Sequence, residues 1–161
     1  MKTLLLLFVL IFEVTYANAQ PDASNNLVIS VSTSPNFTLN TATLLENAQS
    51  ISNAFYIGIK TGRRTCNVYV AVPSGITTTQ PTSMAVGNIE LTYRSTTCDG
   101  AHLGTITTGT LPMTTSNQFL FSQKSTASQF KYYYDVNIPA IGYTYNPGTY
   151  NYTFQFTMTQ P

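Results

Sequence analysis

Side chains that perform chemistry are scarce in this sequence. Past position 19 it holds five carboxylates, Asp22, Glu46, Glu90, Asp99 and Asp135, and one histidine, His102. Glycoside hydrolysis needs two carboxylates facing each other across a cleft. No motif brings two of these five together. A chance approach of Glu90 to Asp135 stays open, but isolated strand carboxylates are ordinarily solvated rather than catalytic. Asp99 and His102 stand three positions apart around Gly100, which is a turn and not a Ser-His-Asp arrangement. There is no Gly-x-Ser-x-Gly elbow and no phosphate-cradling glycine loop. Metal centres gather several His, Cys or carboxylate ligands, and calcium loops cluster acidic oxygens. Neither pattern occurs. The sequence therefore indicates a non-enzymatic protein with no catalytic residues, no metal and no cofactor.

The two cysteines, Cys66 and Cys98, are read through the compartment that the first residues imply. Met1-Lys2 is a short positive start, Leu4 to Phe12 is an apolar run, and Ala17-Asn18-Ala19 offers small residues at the cleavage positions. That order is a secretory signal over 1–19, cut before Gln20. The run is shorter than the roughly 20 residues that span a bilayer, so no transmembrane segment is expected. The chain is expected to be extracellular or on the cell surface, passing through the periplasm in transit. An even cysteine count in an exported chain reads as a disulfide. A Cys66–Cys98 bridge would close a loop of about 30 residues, worth roughly 3 kcal/mol in the chain-entropy model.

Binding is the remaining kind of chemistry. Lys60, Arg63 and Arg64 place half of the six cations beyond the signal on one turn. Such a turn either blocks edge pairing or touches an anionic glycan, a lipid headgroup or a neighbouring subunit. Tyrosines cluster late, at 132, 133, 134, 143, 145, 150 and 152. Tyr133, Tyr143 and Tyr145 fall outside the core register, and exposed tyrosine stacks on sugar rings or anchors an interface. Lys60, Arg63, Arg64, Tyr133, Tyr143 and Tyr145 form the candidate binding surface.

Composition narrows the classes further. The chain has 161 residues, enough for one good core and too few for two. Only 8% of residues are charged, against roughly 25% in an average domain. The 27 threonines and 13 serines must wet the surface instead. With 43% hydrophobic and 12% aromatic residues, the chain is too apolar for intrinsic disorder. A net charge of +1 excludes a nucleic-acid binder acting by phosphate neutralisation and a polybasic membrane-surface protein.

Alternation supplies the elements that must hold these residues. Leu27, Ile29 and Val31 share one face of a short strand after a polar lead-in. Residues 54–60 and 66–72 alternate on either side of the Thr61-Gly62-Arg63-Arg64 turn, which predicts a hairpin. Residues 88–95, 118–122 and 130–138 alternate as well. Residues 150–159 alternate without a fault after Asn146-Pro147-Gly148. Residues 41–52 allow one helical turn at most, and 76–86 reads as loop with one edge strand. These short strands, punctuated at roughly 8–12-residue intervals, predict an all-β fold over 20–161, an Ig-like antiparallel β-sandwich of seven to nine strands.

The segment from Phe130-Lys131-Tyr132-Tyr133-Tyr134-Asp135 through Pro147-Gly148-Thr149-Tyr150 to Tyr152-Thr153-Phe154-Gln155-Phe156-Thr157-Met158 resembles the end of bacterial fimbrial subunits and of spore-coat-U-type secreted domains. The resemblance covers the last part of the chain, from 130 to 161. It implies an Ig-like fold, a surface location and assembly into polymers or coats. The expected function is that of a secreted structural or adhesive protein of a bacterial surface, partnered by copies of itself or by other surface proteins. The alternative is a small secreted carbohydrate-binding module with a glycan partner.

Overall fold

The computed structural model of the chain describes residues 26–31, 37–62, 64–73, 77–78 and 83–161. The signal segment 1–19 and Arg63 lie outside the described residues. Among the described residues there are twelve strands: β1 (Asn26–Val31), β2 (Phe37–Leu39), β3 (Gln49–Lys60), β4 (Cys66–Ala71), β5 (Thr77–Thr78), β6 (Glu90–Thr96), β7 (Leu103–Ile106), β8 (Thr110–Pro112), β9 (Gln118–Gln123), β10 (Phe130–Ile138), β11 (Gly148–Asn151) and β12 (Gln155–Thr159). The seven to nine strands expected were the long ones. The additional strands are of two to four residues, too short for alternation to register in sequence.

The strands pair antiparallel in three sheets. A five-stranded sheet runs β1-β3-β10-β6-β8, a four-stranded sheet runs β12-β4-β9-β7, and a three-stranded sheet runs β2-β11-β5. The result is an all-β, sandwich-like fold. Period-two patterning explains which faces meet. In β10, Tyr132, Tyr134, Val136 and Ile138 are buried while Lys131, Tyr133, Asp135 and Asn137 are half-buried. Facing them, β4 buries Cys66, Val68 and Val70, and β9 buries Phe121. Across the interior, the Phe121 ring stacks on Tyr132 at 3.8 Å, and Phe55 of β3 meets Phe156 of β12 at 5.5 Å. Such aromatic pairs add about 0.5–1.5 kcal/mol each beyond the area they bury.

Among the described residues there is one α-helix, α1 (Ala42–Glu46), a single turn as the sequence predicts. Thr41 caps it by accepting the Leu44 N–H at 3.3 Å, and Leu45 fills the core.

Two connections differ from the sequence reading. Residues 54–60 and 66–72 do not form a hairpin. Strand β3 pairs with β1 and β10, and β4 pairs with β12 and β9, so the Thr61–Arg64 turn crosses from one sheet to the other. Alternation is the same for a strand paired across a turn and one stacked across a core. Thr61 fixes the crossing. Its side chain is fully buried, donates to the Lys124 carbonyl at 2.9 Å and accepts the Thr126 N–H at 3.0 Å.

The alternating run 150–159 is likewise two strands. Strand β11 joins the three-stranded sheet and β12 the four-stranded one. The period survives the switch. Tyr150 and Tyr152 are buried, Phe154, Phe156 and Met158 are half-buried, and Asn151, Thr153, Gln155 and Thr159 are exposed. Only Thr157 is as covered as its apolar neighbours.

Candidate functional site

The most organised polar surface lies on the outer face of the five-stranded sheet. Cross-strand register sets its rows. One row runs Ser30, Tyr56, Tyr133 and Ser95; the next toward one end runs Val28, Gly58 and Lys131. The rings of Tyr56 and Tyr133 lie 5.6 Å apart with their planes inclined at 52°. Lys131 Nζ sits 4.7 Å from the centre of the Tyr56 ring, a cation–π contact that holds the ammonium beside the aromatic pair. Gly58 leaves room here for Gln129. A side chain at position 58 would meet Gln129 Nε2 at 3.0 Å.

Asp135 occupies the next outward position on β10 and stands between two irregularities. Strand β3 bulges between Phe55 and Ile51, and β6 bulges at Arg94. In the first bulge Asn53 adopts φ 50°, the left-handed region that Asn tolerates better than most residues. Its backbone N–H donates to Asp135 Oδ1 at 2.7 Å. From the other side Arg94 Nη1 reaches both Asp135 oxygens at 3.3 Å. Bulges re-aim side chains and sharpen local twist, and here both aim polar groups at one carboxylate. Beyond it, Asn137 Nδ2 donates to Thr92 Oγ1 at 2.9 Å, and Thr92 and Thr110 hydroxyls meet at 3.3 Å. The carboxylate is thus fixed from both sides, and the face offers rings, amides, hydroxyls and cations, with Glu90 in the next outward row opposite Asn137.

The predicted surface residues are only partly brought together. Lys60 and Tyr133 belong to this face. Arg64 is exposed in the crossing turn, where its N–H bonds the Thr61 carbonyl at 3.1 Å. Tyr143 and Tyr145 follow the opposite end of β10, a strand of nine residues and so about 30 Å long. Tyr143 is 70% exposed, and its hydroxyl donates to Glu46 Oε1 at 2.6 Å. That hydrogen bond, with slight desolvation and the Glu46 charge, raises the phenol above its ordinary value. Tyr145 is half-buried, and its oxygen accepts Asn88 Nδ2 at 3.1 Å. These two tyrosines pin the β10–β11 connection instead of sharing a site with Lys60. Tyr56, Lys131 and Arg94 lie outside the surface expected from sequence, although the period of two that turns Tyr133 outward turns Lys131 outward too; Asp135, considered there only beside Glu90, lies one outward row from it.

The expected Cys66–Cys98 disulfide is not formed, and both residues are free thiols. Their strands are not neighbours. Cys66 begins β4 in the four-stranded sheet, and Cys98 follows β6 in the five-stranded one. Gln123 reaches from one to the other. It pairs with Cys66 across the β4–β9 ladder, and its Nε2 donates to Cys98 Sγ at 3.6 Å. The same amide donates to the His102 and Lys124 carbonyls at 2.8 and 3.1 Å, and its Oε1 accepts the Tyr132 hydroxyl. Burial pushes the Cys66 thiol above its ordinary value. Desolvation also raises Cys98, against hydrogen bonds from Gln123 and Tyr132 that lower it.

His102 serves the same end of the sandwich. Its Nδ1 lies 3.0 Å from the Ser125 carbonyl, so that nitrogen carries the proton, and its ring stacks on Phe130 at 5.6 Å. Asp99 Oδ1 accepts the Ala101 and His102 backbone N–H groups. The pair closes a turn. Among the described residues, no group of three or more His, Cys, Asp or Glu could hold a metal ion, and no helix is long and apolar enough to cross a membrane.

Comparison with protein families, with curated proteins and with solved structures finds no match to this chain.

Proposed function

We propose that the protein is a secreted, non-enzymatic surface protein of adhesive kind, acting at a bacterial cell surface through the outer face of its five-stranded sheet. The observation that carries this reading is the Tyr56–Tyr133 pair with Lys131 held over it, on a strand pinned from both sides at Asp135. Aromatic rings that keep one wet face are suited to sugars and to protein anchors alike. A rigid sheet holds them without an ordering cost on binding. The low charge of the chain suits side-by-side crowding on a surface, where self-repulsion is unwanted.

The resemblance of residues 130–161 to fimbrial and coat subunits favours a second reading, a structural subunit that self-associates. Strand β1 weighs toward adhesion, because it already covers the β3 edge within its own chain. The two readings separate in one experiment. The purified chain is examined by size-exclusion chromatography and electron microscopy, then applied to a glycan array beside its Tyr56→Ala/Tyr133→Ala variant. A monomer whose glycan signal disappears in the variant supports adhesion through this face. Filaments with no glycan signal support the structural subunit, and a monomer with no signal sinks both.

A further inference from the structure

We infer that the glycan this face takes is acidic, a polysaccharide carrying uronic acid carboxylates. The inference rests on the adhesive reading above and names its ligand class. Its basis is where the cations lie relative to the rings. Lys131 pairs in register with Gly58, and Lys60 is two residues further along the same strand. The two lysines are therefore diagonal neighbours on one face, about 7–8 Å apart at the backbone. Among the described residues Arg94 pairs with Asp135, and neither lysine forms an ion pair with a described carboxylate. The face is thus divided. At one end the outward carboxylates Asp135 and Glu90 lie in successive rows with Arg94 paired to Asp135, and at the other Lys131, beside the Tyr56 ring, and Lys60, one row further on, pair with no described carboxylate.

Tyr56 is committed to holding Lys131 over its ring, which leaves Tyr133 as the ring for stacking. A sugar lying on Tyr133 presents its ring substituents toward Lys131. A carboxylate on that sugar, or on its neighbour along the chain, meets Lys131 and then Lys60. Gln129 lies against Gly58, in the row of Lys131, and supplies an amide for ring hydroxyls. A neutral glycan would use the ring and the amide but leave both ammonium groups without partners. A nucleic acid would need a broader cationic surface than a chain of net charge +1 offers.

The test measures binding of the purified chain to polygalacturonate and to a neutral galactan of matched length, by calorimetry. The expected result is a preference for polygalacturonate of about tenfold or more that shrinks as salt is raised. The Lys60→Met/Lys131→Met variant keeps the aliphatic stems and removes the charges. It should lose that preference, its affinity for polygalacturonate falling at least tenfold. Tyr133→Ala should lose both polymers and Tyr133→Phe should keep both, with circular dichroism confirming that each variant is folded. Equal affinity for the two polymers in the unaltered chain overturns the acidic ligand and leaves the adhesive reading standing. So does a double lysine variant that keeps the preference. Polygalacturonate binding that survives Tyr133→Ala reduces the effect to polyelectrolyte attraction and also overturns the inference. Binding of neither polymer, together with a silent glycan array, removes the adhesive reading itself.

Discussion

The backbone N–H of Asn53 donates to the Asp135 carboxylate at 2.7 Å, across 82 positions of sequence. Asn53 needs φ 50° to do so, and the β3 ladder with β10 breaks register at that point. The bulge takes the Asn53 N–H out of the ladder, and at this exposed position a side chain supplies its partner in place of water. Asp135 does, and Arg94 then compensates the charge at 3.3 Å. The carboxylate locks the bulge that flanks the aromatic face.

This lock orders three substitutions. Asp135→Ala exchanges the hydrogen bond to the exposed Asn53 N–H for one to water and should cost about 1–1.5 kcal/mol. Arg94 is 45% exposed, so Arg94→Ala should cost under about 1 kcal/mol, as for other solvent-screened pairs. Asn53→Gly fits the left-handed backbone and should be close to neutral. Denaturant unfolding of the three variants checks the order. An Arg94→Ala loss equal to that of Asp135→Ala would show that the ion pair, rather than the backbone hydrogen bond, supports the bulge.

Two adjacent core tyrosines should respond in opposite ways to loss of the hydroxyl. The Tyr132 hydroxyl donates to Gln123 Oε1, at the centre of the network joining both cysteines. The Tyr134 hydroxyl is buried with no hydrogen-bond partner among the described residues. Tyr132→Phe strands a buried acceptor and should cost about 1–3 kcal/mol, while Tyr134→Phe removes an unpaired buried donor and should be neutral or stabilising. Thermal melts of the two variants give the comparison. Equal losses would mean that Tyr134 has a partner, or that Gln123 repairs itself.

Alternation made the strongest strands legible in the sequence, residue by residue. Phe130 to Ile138 was readable because four outward positions carry polar groups or Tyr133 while the inward ones are Tyr132, Tyr134, Val136 and Ile138. The partner of each strand was not readable. Ile57 and Ile59 face the same core as Val68 and Val70 whether the turn at Thr61 is a hairpin or a crossing, since a period of two fixes the face and not the neighbour. For the same reason Tyr133 was recognisable as outward but Tyr56 was not recognisable as the ring beside it. The Asp135 lock depends on two bulges, and a bulge inserts one residue without changing composition, so no local pattern announces it.

Raising the pH should unfold the protein through its buried phenols. Burial pushes Tyr132, Tyr134 and Tyr152 well above the ordinary tyrosine value, with Cys98 adding to the effect at Tyr132. A value raised in the folded state stabilises the fold fully below the unfolded value of about 10 and loses that contribution as pH climbs through the folded one. These phenolates should appear in one cooperative step, together with loss of the near-ultraviolet circular dichroism signal. Their appearance while that signal is intact would contradict the burial described.

The free thiols make a separate prediction. Cys66 is fully buried with its thiol raised by desolvation, and the thiolate is the form that reacts. Iodoacetamide at neutral pH should leave Cys66 unmodified in the folded chain. Both Cys66 and Cys98 should be modified once the chain is unfolded without reductant. Mass spectrometry locates the adducts. Finding neither sulfur alkylated after unfolding would show that the pair is oxidised.

Removing β1 tests whether the sandwich is complete within one chain. Six consecutive residues of β1, from Asn26 to Val31, pair with β3 from Lys60 to Phe55. Without β1, β3 becomes an edge and presents its outward-directed N–H and C=O groups to any other strand. Leu27 also packs against the core, so its loss uncovers apolar surface as well as hydrogen-bonding groups. A chain lacking 26–31 should therefore melt at a lower temperature and self-associate. An added peptide spanning 25–34 should pair with the freed β3 edge and restore the monomer, since strand addition regains the same ladder. If the shortened chain keeps the thermal midpoint of the full one and stays monomeric, β1 contributes nothing in its own chain. If the full chain, with β1 present, binds the same peptide as tightly as the shortened one does, β1 leaves its place readily, and exchange of β1 between copies becomes the better account of assembly.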